Sequence, residues 1–440
     1  MLRTFIVVPL LSLVLVSCSD WMGEKEEAPL PGSRTAVLSQ SMSIKTDKGV
    51  ERFLVQLPAP YINHDWPQVG GYPDRAMHHL VGGETLGTLW DVKIGEGIDG
   101  NIDILPSPIV AQGRVFAIDS RGKISAIDIR NGSILWSFDS TPNYEERESG
   151  FGGGLAYVGG RVFIANGFGQ IIALKANTGK LIWKTNIGIP FRNAPVVAQR
   201  KVFAVSIDNQ LWALDGLTGS KLWNNAGISE SAGLLGSSSP AVSGELVLAT
   251  YSSGEVNALR IENGLPIWSD AIGRQNIISS SISDFNDING SPVIDRGLAY
   301  IISHGDHLIA IDIRSGLRVW ERDIGGVNTP WIAGDFLYII SANSEIICLI
   351  RETGDVKWVR DLPQFSDYED RKGEIIWNGP VLASDKLLMT SSTGLVVALS
   401  PYSGDYLGKV EMPDSISLPP IVADSKVFIL TEEAKLFALR

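Results

Sequence analysis

Cysteine is nearly absent: the 440-residue chain has two, Cys18 and Cys348. With Cys18 committed as argued below, no disulfide framework exists. Histidine is scarce as well, at five residues. Neither His78-His79 nor His304-Gly-Asp-His307 brings a further ligand at metal-binding spacing, so they read as a segment-ordering pair and a polar turn. Lys and Arg total 37 against 49 Asp and Glu, a net charge of −12. Without clustered basic residues, a nucleic-acid binder is excluded. There is no Gly-x-Ser-x-Gly elbow and no His-Glu-x-x-His motif. The glycine-rich GFGGGLAYVGG (150–160) precedes a strand pattern rather than a helix, so no helix N-terminus awaits a phosphate there.

Beyond residue 17 no apolar run is long enough to span a membrane, but the first 17 residues carry a signal. One early charge, Arg3, is followed by FIVVPLLSLVLV and then Leu15-Val16-Ser17-Cys18. That is the form of a lipoprotein signal peptide. Residues 1–17 are expected to be removed and Cys18 to carry the lipid, which anchors the chain stably in a membrane. Ser19 after the cysteine favours the outer membrane, with the folded part in the periplasm. Residues 18–62, rich in charge, Pro, Gly and Ser, read as anchor and tether. RFLVQLPAP (52–60) is apolar enough to lie against the domain that follows at 63–440.

From about residue 83 a repeat takes over. AIDIRNGSILW (126–136) returns as ALKANTGKLIW, ALDGLTGSKLW, ALRIENGLPIW, AIDIRSGLRVW, CLIRETGDVKW and ALSPYSGDYLG. A small residue is followed by Gly six positions later and by Trp ten positions later, with Cys348 and Gly408 the substitutions. Cys348 is therefore a small buried residue. Each unit reads as four short strands separated by Gly or Asn turns, the Gly supplying a positive φ at no steric cost. Opening elements such as Ser107-Pro108-Ile109-Val110 number eight, but the last unit stops after its third strand. GTLWDVKIG (87–95), with Trp90, supplies the missing fourth.

These observations predict an all-β fold, an eight-bladed β-propeller of four-stranded blades, with an N-terminal strand completing the last blade and closing the ring. Trp is expected to pack between neighbouring blades. The longest insertions, TPNYEERESGFGG, GRQNIISSSISDFNDING and LPQFSDYEDRKGEIIWNG, fall between units. Their face of the propeller is the expected functional one.

The frame in ALDGLTGSKLW (213–223) resembles the repeat of pyrroloquinoline-quinone propellers. Quinone dehydrogenases add an adjacent cysteine pair, calcium ligands and a catalytic Asp. This chain has no cysteine pair, which leaves a PQQ-dependent dehydrogenase or another ligand-binding propeller as the alternative function.

Taken with the lipoprotein signal and HDWPQVGGYPDRAMHHL (64–80), the chain resembles the BamB family of outer-membrane protein assembly factors. That resemblance implies a non-enzymatic scaffold without cofactor in the BAM complex. Its partners would be BamA, through the POTRA domains, other assembly subunits and unfolded outer-membrane proteins. In the family a Leu-x-Leu-Arg loop ahead of the third repeat's Ala-Pro contacts BamA. Here Ile189-Pro190-Phe191-Arg192 precedes Asn193-Ala194-Pro195, so Ile189, Phe191 and Arg192 are the implied contacts. An Arg among apolar anchors is the usual composition of a hot spot. Asp208, in VSIDNQLWAL, matches another acidic position of the family, with a local Asx turn as its alternative. The family's acidic pair before the fourth repeat's Pro has no counterpart in GLLGSSSP (233–240).

Overall fold

The computed structural model describes residues 44–98, 105–142, 152–228, 238–272, 288–305 and 307–440. Cys18 and most of the first two long insertions lie outside the described residues. The repeat units fold into eight four-stranded antiparallel blades around one axis. Seven are continuous meanders, at 109–139, 153–186, 196–226, 241–271, 293–322, 331–361 and 377–411. The eighth joins Ile421–Ala423, Lys426–Leu430 and Lys435–Leu439 to Thr88–Lys93, with Trp90 opposite Ala438. The ring closes as expected. A short hairpin, Phe365–Asp367 with Lys372–Glu374, projects between the sixth and seventh blades.

Burial explains the composition of each unit. The first strands neighbour one another around the axis and are almost wholly buried, as in Ile109–Ala111. Second and third strands are buried on both faces and read as continuous apolar runs. Only the fourth strand, at the rim, alternates exposed with half-buried residues, as in Ile134–Asp139. The thiol of Cys348 is fully buried beside Tyr338, and that burial pushes its pKa well above the ordinary range.

The repeated frame is a contact between consecutive blades. The small residue lies directly opposite its own Trp, as Ala126 opposite Trp136 and Cys348 opposite Trp358. The indole reaches into the next blade, where Trp136 Nε1 donates to the Ala176 carbonyl at 3.0 Å and Trp268 Nε1 to that of Ile313 at 2.8 Å. Beneath each indole lies the hairpin Gly of that next blade. A Cβ on Gly264 would sit 2.5 Å from Trp223 Cε3, and its φ is +71°. Gly is required there both by the backbone and by the ring above it.

This also accounts for Gly408. The blade after it is the seam, where no hairpin joins Leu439 to Thr88 and Gly87 and Arg440 exchange backbone hydrogen bonds of 3.0 and 2.9 Å instead. With no hairpin Gly to cover, the Trp has no seat. Gly264→Val is accordingly expected to cost roughly 2–4 kcal/mol, from a β-branched residue at positive φ and a displaced indole. Equilibrium urea unfolding measures it; a loss below about 1 kcal/mol would reject the stacking role.

Residues 61–82 form a collar inside the ring. The Asn63 carbonyl accepts from Asp424 N at 2.7 Å on the eighth blade, and Trp66 pairs with Val110 on the first. Pro67 O then bonds Tyr157 N on the second, and the Gln68 side chain bonds both backbone groups of Val197 on the third. Pro73 O and Asp74 O accept from Val242 and Ile294 on the fourth and fifth. His78 O accepts from Trp331 Nε1 on the sixth, and Leu80 pairs with the seventh. One segment thus visits all eight blades in order. His79 secures its exit, accepting from Asp385 N at 3.0 Å and bonding the Pro58 carbonyl at 2.8 Å.

Candidate partner-binding surface and central funnel

The loop holding Ile189 to Arg192 links the second blade to the third, and backbone bonds place it. Phe191 N donates to Asn166 O at 3.2 Å, and Gly153 N to Arg192 O at 2.9 Å. Phe191 also bridges Ser206, and Ile207 N donates to Pro190 O at 3.0 Å. The loop is thereby stitched to the hairpin Ser206 to Gln210 between the second and third strands of the third blade. Arg192 and Asp208, taken from separate stretches of sequence, lie on these two adjoining segments.

Phe191 departs from expectation. It is fully buried in a cluster with Phe163, Ala165, Val202 and Ala204. In an extended segment alternate side chains face opposite ways, so Phe191 turns inward as the loop's foot and cannot itself touch a partner. Ile189 and Arg192 are partly exposed. Burial lowers the pKa of the Arg192 guanidinium from its ordinary value. Asp208 is held by its neighbours: Ser206 Oγ and Gln210 Nε2 each donate to one of its oxygens at 2.5 Å. Asn209, at φ +58°, makes the turn, and its Nδ2 donates to the Ile228 carbonyl at 2.8 Å.

Two members of this surface were not anticipated. Ile207 is 47% exposed at the hairpin tip and Ile228 is 42% exposed on the next inter-blade link. The available signal was Ile207 itself, a large apolar residue in a turn where polar residues are usual. Ile189, Ile207 and Ile228 flank Arg192 and Asp208, giving apolar area around one cation and one anion.

Arg192 also stands at the rim of a central funnel of about 280 Å³. Its walls are the residues at or just ahead of the starts of the first strands, including Ser107, Asn289, Asn328 and Asn378. On its floor the rings of Trp66 and Trp331 stack at 6.1 Å between centroids and 19° between planes.

A sequence model of the family described as outer membrane protein assembly factor BamB matches residues 81–150 and 120–360. The chain belongs to the BamB family. BamB of Salmonella typhimurium is 27% identical over 360 residues, covering 80% of this chain and 88% of that protein. BamB of Escherichia coli is 26% identical over 356 residues, with the same two coverages of 80% and 88%. Among solved structures, BamB from Moraxella catarrhalis aligns at TM-score 0.66 and 18% identity, covering 81% of this chain and 100% of that one. A europium-containing methanol dehydrogenase aligns at TM-score 0.63 and 14% identity, covering 83% and 89%. At such identities the structures show a shared propeller, and activity does not follow from it.

Proposed function

We propose that this BamB-family chain is a non-enzymatic scaffold subunit of the outer-membrane β-barrel assembly complex. In this reading it is lipid-anchored through Cys18, with the propeller in the periplasm, and docks on the POTRA domains of BamA to assist insertion of barrel proteins. The observation that carries the docking site is the stitching of the 189–192 loop to the 206–210 hairpin by the Ile207 to Pro190 bond. It sets Arg192 and Asp208 among Ile189, Ile207 and Ile228, the mixture of aliphatic area and Arg typical of interface hot spots. Phe191 acts from beneath by holding the loop's shape. Each blade ends on a fourth strand at the rim, and such edges could accept an extended client chain by strand addition.

The test is capture of the tagged protein from detergent-extracted membranes, followed by identification of what accompanies it. BamA is expected in the capture. Arg192→Glu should reduce it roughly 30-fold, the effect of losing about 2 kcal/mol at a hot spot, without changing the unfolding midpoint. Undiminished capture by the variant would remove Arg192 from the interface.

A further inference from the structure

The described lining of the funnel contains two guanidinium groups, Arg75 and Arg192, and no Asp, Glu, Lys or His. In a chain of net charge −12 this is a local reversal of sign. Arg75 is 3% exposed. Its terminal nitrogens donate to the carbonyls of Ser239, Pro240 and Pro292 at 3.1, 2.9 and 3.2 Å, tying the collar to the fourth and fifth blades. Carbonyl dipoles satisfy its N–H groups without cancelling its charge. No described carboxylate comes within ion-pair distance, although Asp74 acts on it through space. Burial pushes its pKa down to about 9, which leaves it protonated at neutral pH.

Two buried donors of residues lining the funnel, Arg75 Nε and Trp66 Nε1, have no acceptor among the described residues. On the wall, Asn289 Oδ1 is without a donor among the described residues. Asn328 is committed to the scaffold, donating to Trp377 O at 2.9 Å and accepting from Gly379 N at 3.2 Å. Among the described residues the cation has no counter-ion and these donors no acceptor, which costs solvation free energy that a bound anion restores. The stacked indoles of Trp66 and Trp331 add an apolar face that favours a flat partner. A cavity of about 280 Å³ lies just below the usual range of ligand sites, roughly 300 to 1,000 Å³, so only a small ligand fits.

We propose that the funnel is a binding site for a small organic carboxylate with a flat apolar body, the body over the Trp66 and Trp331 pair and the carboxylate toward Arg75. Arg192 borders both this site and the docking surface, but the ligand carboxylate is placed at Arg75, and neither reading needs the other. Titration calorimetry of the purified protein with 2-naphthoate and its neutral counterpart 2-naphthamide tests it. Saturable binding of naphthoate is expected, with naphthamide at least about tenfold weaker, because a single buried charge at this range carries that much interaction.

Asn289→Asp puts a carboxylate on the wall at a side chain whose Oδ1 has no donor among the described residues. It should weaken naphthoate about tenfold or more while leaving naphthamide and the unfolding midpoint unchanged. Ser107→Asp, on the opposite first blade, should do the same and keeps the test decisive if the first variant folds poorly. Absence of saturable naphthoate binding, equal affinity for the two compounds, or naphthoate affinity untouched by a folded variant would each overturn the proposal.

Discussion

Removing Lys435 to Arg440 is expected to abolish the folded propeller. These residues include the third strand of the eighth blade, paired on one side with Lys426–Leu430 and on the other with Thr88–Lys93. Their loss therefore strips Thr88–Lys93 of its partner and leaves Lys426–Leu430 paired on one side only. Leu436, Phe437, Ala438 and Leu439 are all buried. At about 1.5–3 kcal/mol for each of the three large side chains, some 5–9 kcal/mol of burial disappears. That rivals the whole stability of an ordinary domain, about 5–15 kcal/mol. The seam has no covalent substitute, so the neighbouring blades lose a flank as well. Circular dichroism and limited proteolysis of the truncated chain are the measurements, with loss of the cooperative transition and of the protease-resistant core expected. A truncated chain melting within a few degrees of the parent would show that the ring does not depend on its closure.

Asp295→Ala is expected to cost about 3–5 kcal/mol, the usual effect of removing one member of a buried ion pair. Asp295 ends the first strand of the fifth blade, and Arg351 begins the outer hairpin of the sixth. The Arg351 side chain is only 2% exposed. Its Nη1 bonds the Asp295 carboxylate, Nη2 the Asp295 carbonyl at 3.0 Å, and Nε the Tyr300 hydroxyl at 3.2 Å. His78 of the collar approaches the same carboxylate at 3.9 Å. Deleting the carboxylate leaves the guanidinium desolvated at a junction of two blades and the collar. Equilibrium urea unfolding should show a lower midpoint, with the parent's slope if the transition remains cooperative. A loss below about 1 kcal/mol would mean that the carbonyls alone suffice for Arg351.

The blade count was legible because every unit must present the same three groups to its neighbours. Ala, Gly and Trp recur at fixed offsets, and Trp90 near the start matched the strand missing at the end. Less visible was which blade each group serves. The Gly six positions after one unit's Ala lies beneath the preceding unit's Trp, so the contact crosses copies and no single copy displays it. Only the structure gives Gly408 its reason.

The collar was opaque for another cause. Most of its contacts are backbone bonds to the first strands, which impose no periodic side-chain pattern on residues 61–82. At the candidate site, Ile189, Arg192 and Asp208 were nominated by resemblance alone, and the loop and hairpin that carry them adjoin in space. The direction of Phe191 could not be read from Ile-Pro-Phe-Arg, since it depends on a bridge to Ser206 in another strand. Ile207 and Ile228 belong to links whose neighbours are set by the ring alone.

The proposed role rests on this propeller docking on a barrel-assembly partner through the Arg192 surface. Titrating the purified protein against the isolated POTRA domains of BamA from the same organism tests it most directly. The prediction is saturable binding that Arg192→Glu weakens roughly 30-fold while the variant unfolds at the parent's midpoint. No binding, or binding that the folded variant retains in full, would contradict it.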